Sequence, residues 1–291
     1  MRFRRESLPG DNHVHTEWSW DAVQGAMEAT CERAATLRLP SVAFTEHADL
    51  TPWVVRAGDP MSDVLRRWLR PDGRIAPRDL DVEGYLDCVQ RCRERFPGLR
   101  VLTGVELSEP HWHPESTAAL LSGGRFERVL GSVHSVGGRD EPRLVDHAMR
   151  VRPADVVVRD YLAEAGRMAA SDAPFEVLAH IDYPVRHWPA DGQPFRPGDF
   201  SGEFREVLTA LAASGRALEI NTKVPLALEL VRWWADAGGA AVSFGSDAHR
   251  PRDLANGFAA AAEMALSCGF RPGDDPVELW RQPHRTRPGG A

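Results

Sequence analysis

Six of the 11 histidines stand at, or just past, the ends of short apolar runs. They are His13 and His15 in His13-Val14-His15, His47 in Glu46-His47, then His134, His180, and His249 in Asp247-Ala248-His249. Glu106 ends a further run in the same way. Residues two apart on a strand point to the same side, so His13 and His15 can grip one ion, and Asp247 and His249 can serve the same cluster. Imidazole and carboxylate without thiolate suit zinc, manganese or iron. A carboxylate such as Glu106 can bridge two ions, which an imidazole cannot. Taken singly, each signal is weak: a strand-end histidine is commonly a packing residue, and Ser246-Asp247 could equally cap a helix. Eight ligand-type residues at six strand ends are not explained that way.

The elements that must position these residues are brief runs rich in Val, Leu, Ile or Phe, near Asp11–His15, Ser41–His47, Arg100–Glu106, Arg128–His134, Phe175–His180, Ala217–Asn221 and Ala240–Asp247. Buried parallel strands read this way. Helical patterns separate them, over about Ala22–Leu37, Asp81–Phe96, Ala154–Ala169 and Leu226–Ala237. Phe204, Val207, Leu208 and Leu211 also recur at helical spacing, as do Leu254, Phe258, Ala261 and Ala265. Seven strand–helix units predict an α/β fold closed into a barrel, with a doubly wound open sheet as the fallback. The C-terminal rim of such a barrel is where chemistry is built. Two Pro-rich excursions, Thr51–Arg78 and Pro184–Gly198, each follow a strand directly and are expected over that rim. Residues 1–280 are expected to form one domain and 281–291 a frayed Pro/Gly/Arg tail.

Composition sets the outer limits. The chain has 291 residues, 43% hydrophobic, 26% charged and 8% aromatic, which excludes disordered and fibrous classes. No apolar run approaches the roughly 18–20 residues that span a membrane. The basic start, Met1 to His15, has no apolar segment behind it and does not read as a secretory signal. With 35 basic and 42 acidic residues the net charge is −7, which does not favour long nucleic acids as partners. Cys31, Cys88, Cys92 and Cys268 show no CxxC spacing, and the expectation is a reduced, cytoplasmic protein without disulfides.

In order along the chain, Asp11-Asn12-His13-Val14-His15-Thr16, Thr45-Glu46-His47-Ala48-Asp49, Gly104-Val105-Glu106, Gly131-Ser132-Val133-His134-Ser135, Leu178-Ala179-His180-Ile181-Asp182 and Gly245-Ser246-Asp247-Ala248-His249 resemble the motifs of the PHP (polymerase and histidinol phosphatase) domain family. Leu218-Glu219-Ile220-Asn221-Thr222 and Gly131–His134 are similar to motifs of its histidinol-phosphatase branch. The resemblance covers about residues 9–270 and implies a distorted seven-stranded (β/α)7 TIM-like barrel with a trinuclear metal centre. It assigns His13, His15, Glu106 and Asp247 to one ion. Glu106 then bridges to a second ion completed by His134 and His180, and Asp21, His47 and His249 hold the third. Asp21 could also cap the helix expected near Ala22. Leu107–His113 and Trp18-Ser19-Trp20 depart from the family pattern and bear on substrate identity.

The resemblance implies a metal-dependent phosphatase acting on a small phosphate monoester, with L-histidinol phosphate of histidine biosynthesis first among substrates. A metal-bridging hydroxide would attack phosphorus in line, with Glu106, Asp247 and His249 at the reacting centre. Phosphate contacts need basic side chains at the rim, and Arg186, Lys223 and Arg250 are the candidates, Lys223 being the only Lys in an Arg-dominated chain. His111, in a second His-x-His with His113, is a candidate substrate contact, His187 and Trp188 could line the pocket, and Glu109 or Asp182 could receive a substrate ammonium group. The rivals are a related phosphatase or exonuclease for a nucleotide or sugar phosphate, an amidohydrolase on a similar barrel, and a non-catalytic metal-stabilised binding module.

Overall fold

The computed structural model describes residues 8–283. The leader reading at Met1–Ser7 and the tail reading at 284–291 lie outside the described residues. Seven parallel strands form the central sheet in chain order: β1 (Asp11–Val14), β2 (Ser41–Asp49), β3 (Arg100–Ser108), β4 (Arg128–Ser132), β5 (Val177–Leu178), β6 (Ala217–Asn221) and β7 (Ala241–Gly245). The sheet curls until β7 returns to β1. A parallel bridge joins Val14 to Ala248, the His15 N–H donates to the Ala248 carbonyl (2.9 Å), and the Asp247 N–H donates to the His13 carbonyl (2.8 Å). The closed arrangement therefore prevails over the open doubly wound sheet.

An eighth strand corrects the expected count of seven. β8 (Trp280–Arg281) runs antiparallel to β7, with Ala241 opposite Arg281 and Val242 opposite Trp280. It fills the seam on the end of β7 that β1 does not reach. The tail was expected to begin at Arg281, but a two-residue strand has no periodicity to read. What holds it is packing: the buried Trp280 ring meets Phe244 edge-on, centroids 4.9 Å apart.

Several strands end earlier than their apolar runs because carboxylates capture the backbone N–H groups that would extend the ladder. Glu109 Oε1 accepts from the N–H groups of His134 (2.6 Å) and Ser135 (2.8 Å), so β4 stops at Ser132. Asp11 Oδ1 accepts from Ser246 N–H (3.0 Å), and β7 stops at Gly245. Beyond these points His180 and Asp247 take positive φ, 22° and 51°. Such backbone is strained for residues with a Cβ and clusters at functional sites.

Helices α1 (Met27–Leu37), α2 (Val82–Arg95), α3 (Ala154–Ala170), α4 (Ser201–Ala213), α5 (Leu228–Asp236) and α6 (Phe258–Ser267) supply the outer layer. On α4 the expected residues, Phe204, Val207, Leu208 and Leu211, are the buried face. α1 begins five residues later than the sequence pattern implies. Gly25 lies so close to Thr16 that a Cβ there would come within 2.6 Å of its backbone, and the Met27 N–H is taken by Glu17 Oε2 (2.7 Å). Asp21 therefore does not cap this helix, and no helix follows Ser246-Asp247 directly.

The excursion over 51–78 is an ordered wall. Trp53–Val54 pairs with Arg74–Ile75 around a short helix, Asp63–Arg67. Trp53 Nε1 donates to Ser135 Oγ (2.9 Å), Val54 N–H donates to the Pro142 carbonyl (2.8 Å), and Asp59 pairs with the buried Arg143. No helix among the described residues is long and apolar enough to cross a membrane.

Trp280→Ala is expected to cost about 3–5 kcal/mol, the range for deleting a large core aromatic. The midpoint of denaturant unfolding reads it. A loss below about 1 kcal/mol would show that β8 does not belong to the core.

Candidate metal centre

Strand register does much of the positioning. In the β2–β3 ladder His47 lies directly opposite Glu106, and β1 brings His13 and His15 to the same rim. The Glu106 carboxylate is buried beneath five imidazoles. Its Oε2 lies 3.3 Å from His13 Nε2, 3.4 Å from His15 Nε2 and 3.0 Å from His47 Nδ1. Its Oε1 lies 2.8 Å from His180 Nε2 and 3.3 Å from His134 Nε2. Asp247 joins from β7, with Oδ1 3.6 Å from His15 Nε2 and 3.4 Å from His249 Nδ1. Asp21 Oδ2 stands 3.5 Å from His47 Nε2 and 3.1 Å from His249 Nε2. All nine residues expected to hold metal thus converge on one cluster.

Residues behind the cluster aim it. Glu219 Oε1 accepts from His13 Nδ1 (2.7 Å), and its Oε2 accepts the His180 N–H (2.7 Å). Asp49 Oδ1 accepts from His134 Nδ1 (2.8 Å). Ser19 Oγ gives its single proton to Glu46 Oε2 (2.6 Å), so it accepts from His15 Nδ1 (3.0 Å). With Nδ1 donating in each case, the Nε2 lone pairs of His13, His15 and His134 face the cluster, the arrangement of metal-binding histidines. Sequence reasoning gave Glu219, Asp49, Ser19 and Glu46 no role. Asp49 had a readable signal, because it lies two residues past His47 on the same strand.

The electrostatics follow from burial opposed by neighbours. Burial alone would raise the Glu106 pKa, but His13, His47 and His134 hold it well below the usual carboxylate range. Burial is likewise outweighed at Asp247, where Arg186 and Lys223 lead the cations that keep it ionised. Burial, reinforced by the charges on His47 and His249, holds the His15 pKa well below its ordinary value. Burial takes His180 down to about 4.

The chemistry of the donor set fits divalent ions. Glu106 Oε2, His47 Nδ1 and Asp21 Oδ1 are buried with no hydrogen bond to satisfy them. The donor separations of 3.0 Å (His13–His15), 3.3 Å (His13–Glu106) and 3.4 Å (His15–Glu106) match ligand spacing about one ion. Bonds of roughly 2.1 Å place neighbouring ligands about 3.0–3.4 Å apart in octahedral or tetrahedral geometry. Three further groupings, His13–His180–Asp247, His47–Glu106–His134 and His15–His47–His249, cut across the expected three-site division.

Above the cluster lies a cavity of about 180 Å³ lined by His47, His134, His180 and His249. Arg186 and Lys223 both face it and both contact Asp247, at 2.6 Å and 3.0 Å. His187 lines it and Trp188 does not, packing instead against Phe195. Arg250 is exposed and outside the lining. His111 is also outside it, with Nε2 bonded to Glu164 (2.6 Å) beside the Trp112 indole. His113 bonds Thr51 Oγ1 (2.8 Å). These departures share a cause: the Pro110–Trp112 turn swings both side chains away from the rim to satisfy polar groups between elements. A larger cavity, about 420 Å³, shares only Asp49 with the lining of this one and touches none of the nine cluster residues.

Fold and site together define a (β/α) barrel carrying a histidine–carboxylate cluster of metal-ligand type on its C-terminal rim. The family model of the PHP domain matches residues 11–223, and the chain belongs to that family. A probable histidinol-phosphatase of Clostridium acetobutylicum is 24% identical over 270 residues, covering 90% of this chain and 94% of the relative. A histidinol-phosphatase of Lactococcus lactis subsp. lactis is 21% identical over 247 residues, covering 82% of this chain and 83% of the relative. The crystal structure of histidinol phosphate phosphatase from that organism, complexed with zinc, L-histidinol and phosphate, superposes with a TM-score of 0.74 at 19% identity, covering 94% of this chain and 99% of that one. That likeness bears out the barrel.

Two outcomes test these contacts. A Cβ at Gly245 would sit 1.9 Å from Glu219 Oε1 and 2.5 Å from His13 Cβ. Gly245→Ala is expected to lose about 1–3 kcal/mol by overpacking and to lower bound metal measured by elemental analysis; unchanged metal content would refute the role given to Glu219. Glu164 is separate from the cluster. Burial opposes its ionisation, but His111 and Arg167 prevail and take its pKa from 4.5 to about 2. A depressed folded pKa stabilises above the unfolded value and loses that contribution as pH falls towards the folded one. In metal-stripped protein, Glu164→Gln should therefore cost up to about 3 kcal/mol at pH 7, and the gap should close between about pH 4.5 and 2. A pH-independent gap would contradict the ion-pair account.

Proposed function

We propose that the protein is a metal-dependent phosphatase of small phosphate monoesters, with L-histidinol phosphate as its substrate. The observation that carries this is the nine-residue cluster, whose donors stand at ligand spacing with buried oxygen and nitrogen atoms left unsatisfied. In this reading His13, His15, Glu106 and Asp247 hold one ion, Glu106, His134 and His180 a second, and Asp21, His47 and His249 a third. The names and the zinc, histidinol and phosphate of the related proteins support the choice of chemistry and substrate.

Held by these residues, divalent ions would supply Lewis acidity toward phosphoryl oxygens and activation of water. The chain's own residues do the rest. Arg186 and Lys223 stand over Asp247 and bind the phosphoryl oxygens, adding preorganised positive charge where negative charge develops. Tyr183, with the Arg186 guanidinium 4.9 Å from its ring centroid, orients that cation. The restricted cavity favours a monoester over a polymer. Glu106 would take the place that a modified Lys fills in amidohydrolases, whereas Lys223 sits at the rim. The described residues act as one barrel domain. A cytoplasmic location suits its four free thiols.

Phosphate release from L-histidinol phosphate tests the reading, using protein loaded with Mn²⁺ or Zn²⁺ beside an EDTA-treated control. Metal-dependent turnover is expected. His134→Ala combined with Asp247→Asn should lose bound metal and about 10³-fold or more in activity, the equivalent of several kcal/mol, with its circular dichroism unchanged. Full activity in that variant would refute the site, and no turnover by metal-loaded wild type would refute the substrate.

A further inference from the structure

Resting on the reading of a small phosphate monoester as substrate, we infer that Asp146 reads an ammonium group on the leaving alcohol, with the imidazole of His187 as a second polar contact. Four carboxylates line the cavity, and three are already engaged. Asp21 meets His47 and His249, Asp49 meets His134 and the Trp20 indole, and Asp247 meets Arg186 and Lys223. Asp146 differs. Its Oδ1 accepts the His147 N–H (2.7 Å), while its Oδ2 has no hydrogen bond among the described residues. The side chain is 28% exposed, so the charge is partly desolvated; its nearest ion-pair contact, His147 Nε2, stands 4.0 Å from Oδ1 and leaves Oδ2 open. A partly buried carboxylate in that state gains from a charge-assisted hydrogen bond.

Asp146 shares the cavity lining with a series of rings that leads away from the cluster. The Tyr183 ring lies 5.2 Å from His134 and 5.0 Å from His180, and the His187 ring lies a further 5.4 Å from Tyr183. His187 Nε2 is buried with no hydrogen-bond partner. Burial lowers the His187 pKa, and the Asp146 carboxylate opposes that shift. The cavity thus offers Arg186 and Lys223 for the phosphoryl group and the open Asp146 oxygen for an ammonium. Within a volume of about 180 Å³ these groups suit a phosphate and an amine only a few bonds apart.

The two carboxylates expected from the sequence to receive this amine are otherwise placed. Glu109 is fully buried, with Oε1 accepting two backbone N–H groups and Oε2 accepting from Ser108 (2.8 Å) and Thr51 (3.1 Å). Asp182 is buried outside the lining, and burial raises its pKa to about 6.

Asp146→Asn keeps the acceptor for the His147 N–H and the side-chain volume while removing the charge. The measurement is kcat/KM of the metal-loaded protein for L-histidinol phosphate and for its deaminated analogue, imidazolylpropyl phosphate. Wild type should prefer the amine, and the ratio of the two values should fall about 10–100-fold in the variant. A ratio unchanged by the substitution, or an equal loss on both substrates, would overturn the role of Asp146. Failure of the proposed substrate shows elsewhere: metal-loaded wild type would then turn over neither compound, whereas equal turnover of both by wild type would overturn the ammonium contact.

Discussion

The Glu106 carboxylate is the constraint on which the rest of the structure depends. It is an ionised group buried at the centre of a barrel rim, and an unpaired charge there would cost several kcal/mol. Five imidazoles offset that cost, and they arrive from β1, β2 and the segments just past β4 and β5. No one strand could supply them. The barrel has to close for the charge to be tolerated, and the closing contacts, His15 to Ala248 and Asp247 to His13, run through cluster residues or their neighbours. Closure and site assembly are therefore one event.

A second layer of acids converts that assembly into fixed geometry. Asp11, Glu109 and Glu219 each accept backbone N–H groups at strand ends, and Glu219 also anchors the His13 ring. Each releases the backbone from its ladder at a chosen residue. The released residues include His134, His180 and Asp247, which can then turn from strand geometry toward the cluster. The strain of positive φ at His180 and Asp247 is offset by such contacts, and the Tyr161 hydroxyl donates to the His180 carbonyl (2.9 Å) as one more.

This division explains what was legible in the sequence. Ligands at strand ends obey two periodic rules, alternation within a strand and repetition of the strand–helix unit, so His13, His15, His47, Glu106 and Asp247 could be assigned from spacing. Asp21 lies in no strand and became visible only through family resemblance. The supporting acids look like ordinary polar residues, and their partners are up to 244 positions away, as with Asp11 and Ala255. His111 and Arg250 lie outside the cavity for a related reason. Both stand beside site residues in sequence, but a turn separates them from the rim, and adjacency in the chain carries no direction for a side chain.

Reactivity and selectivity are carried by different parts of the molecule, and the two follow different rules. The cluster is built on strand ends held by the barrel, where any shift disturbs the compensation of Glu106. The remaining walls come from insertions: Trp53 and Leu65 from the 51–78 excursion, Leu144 and Asp146 from the segment that meets it, and Arg186 and His187 from the turn after β5. The Asp59–Arg143 pair ties the first two together without touching the cluster. A substitution in these walls can therefore change which alcohol is accepted while the metal-binding residues stay in place. That separation is why a set of ligand motifs can define the family of a chain, whereas its substrate must be sought in the loops.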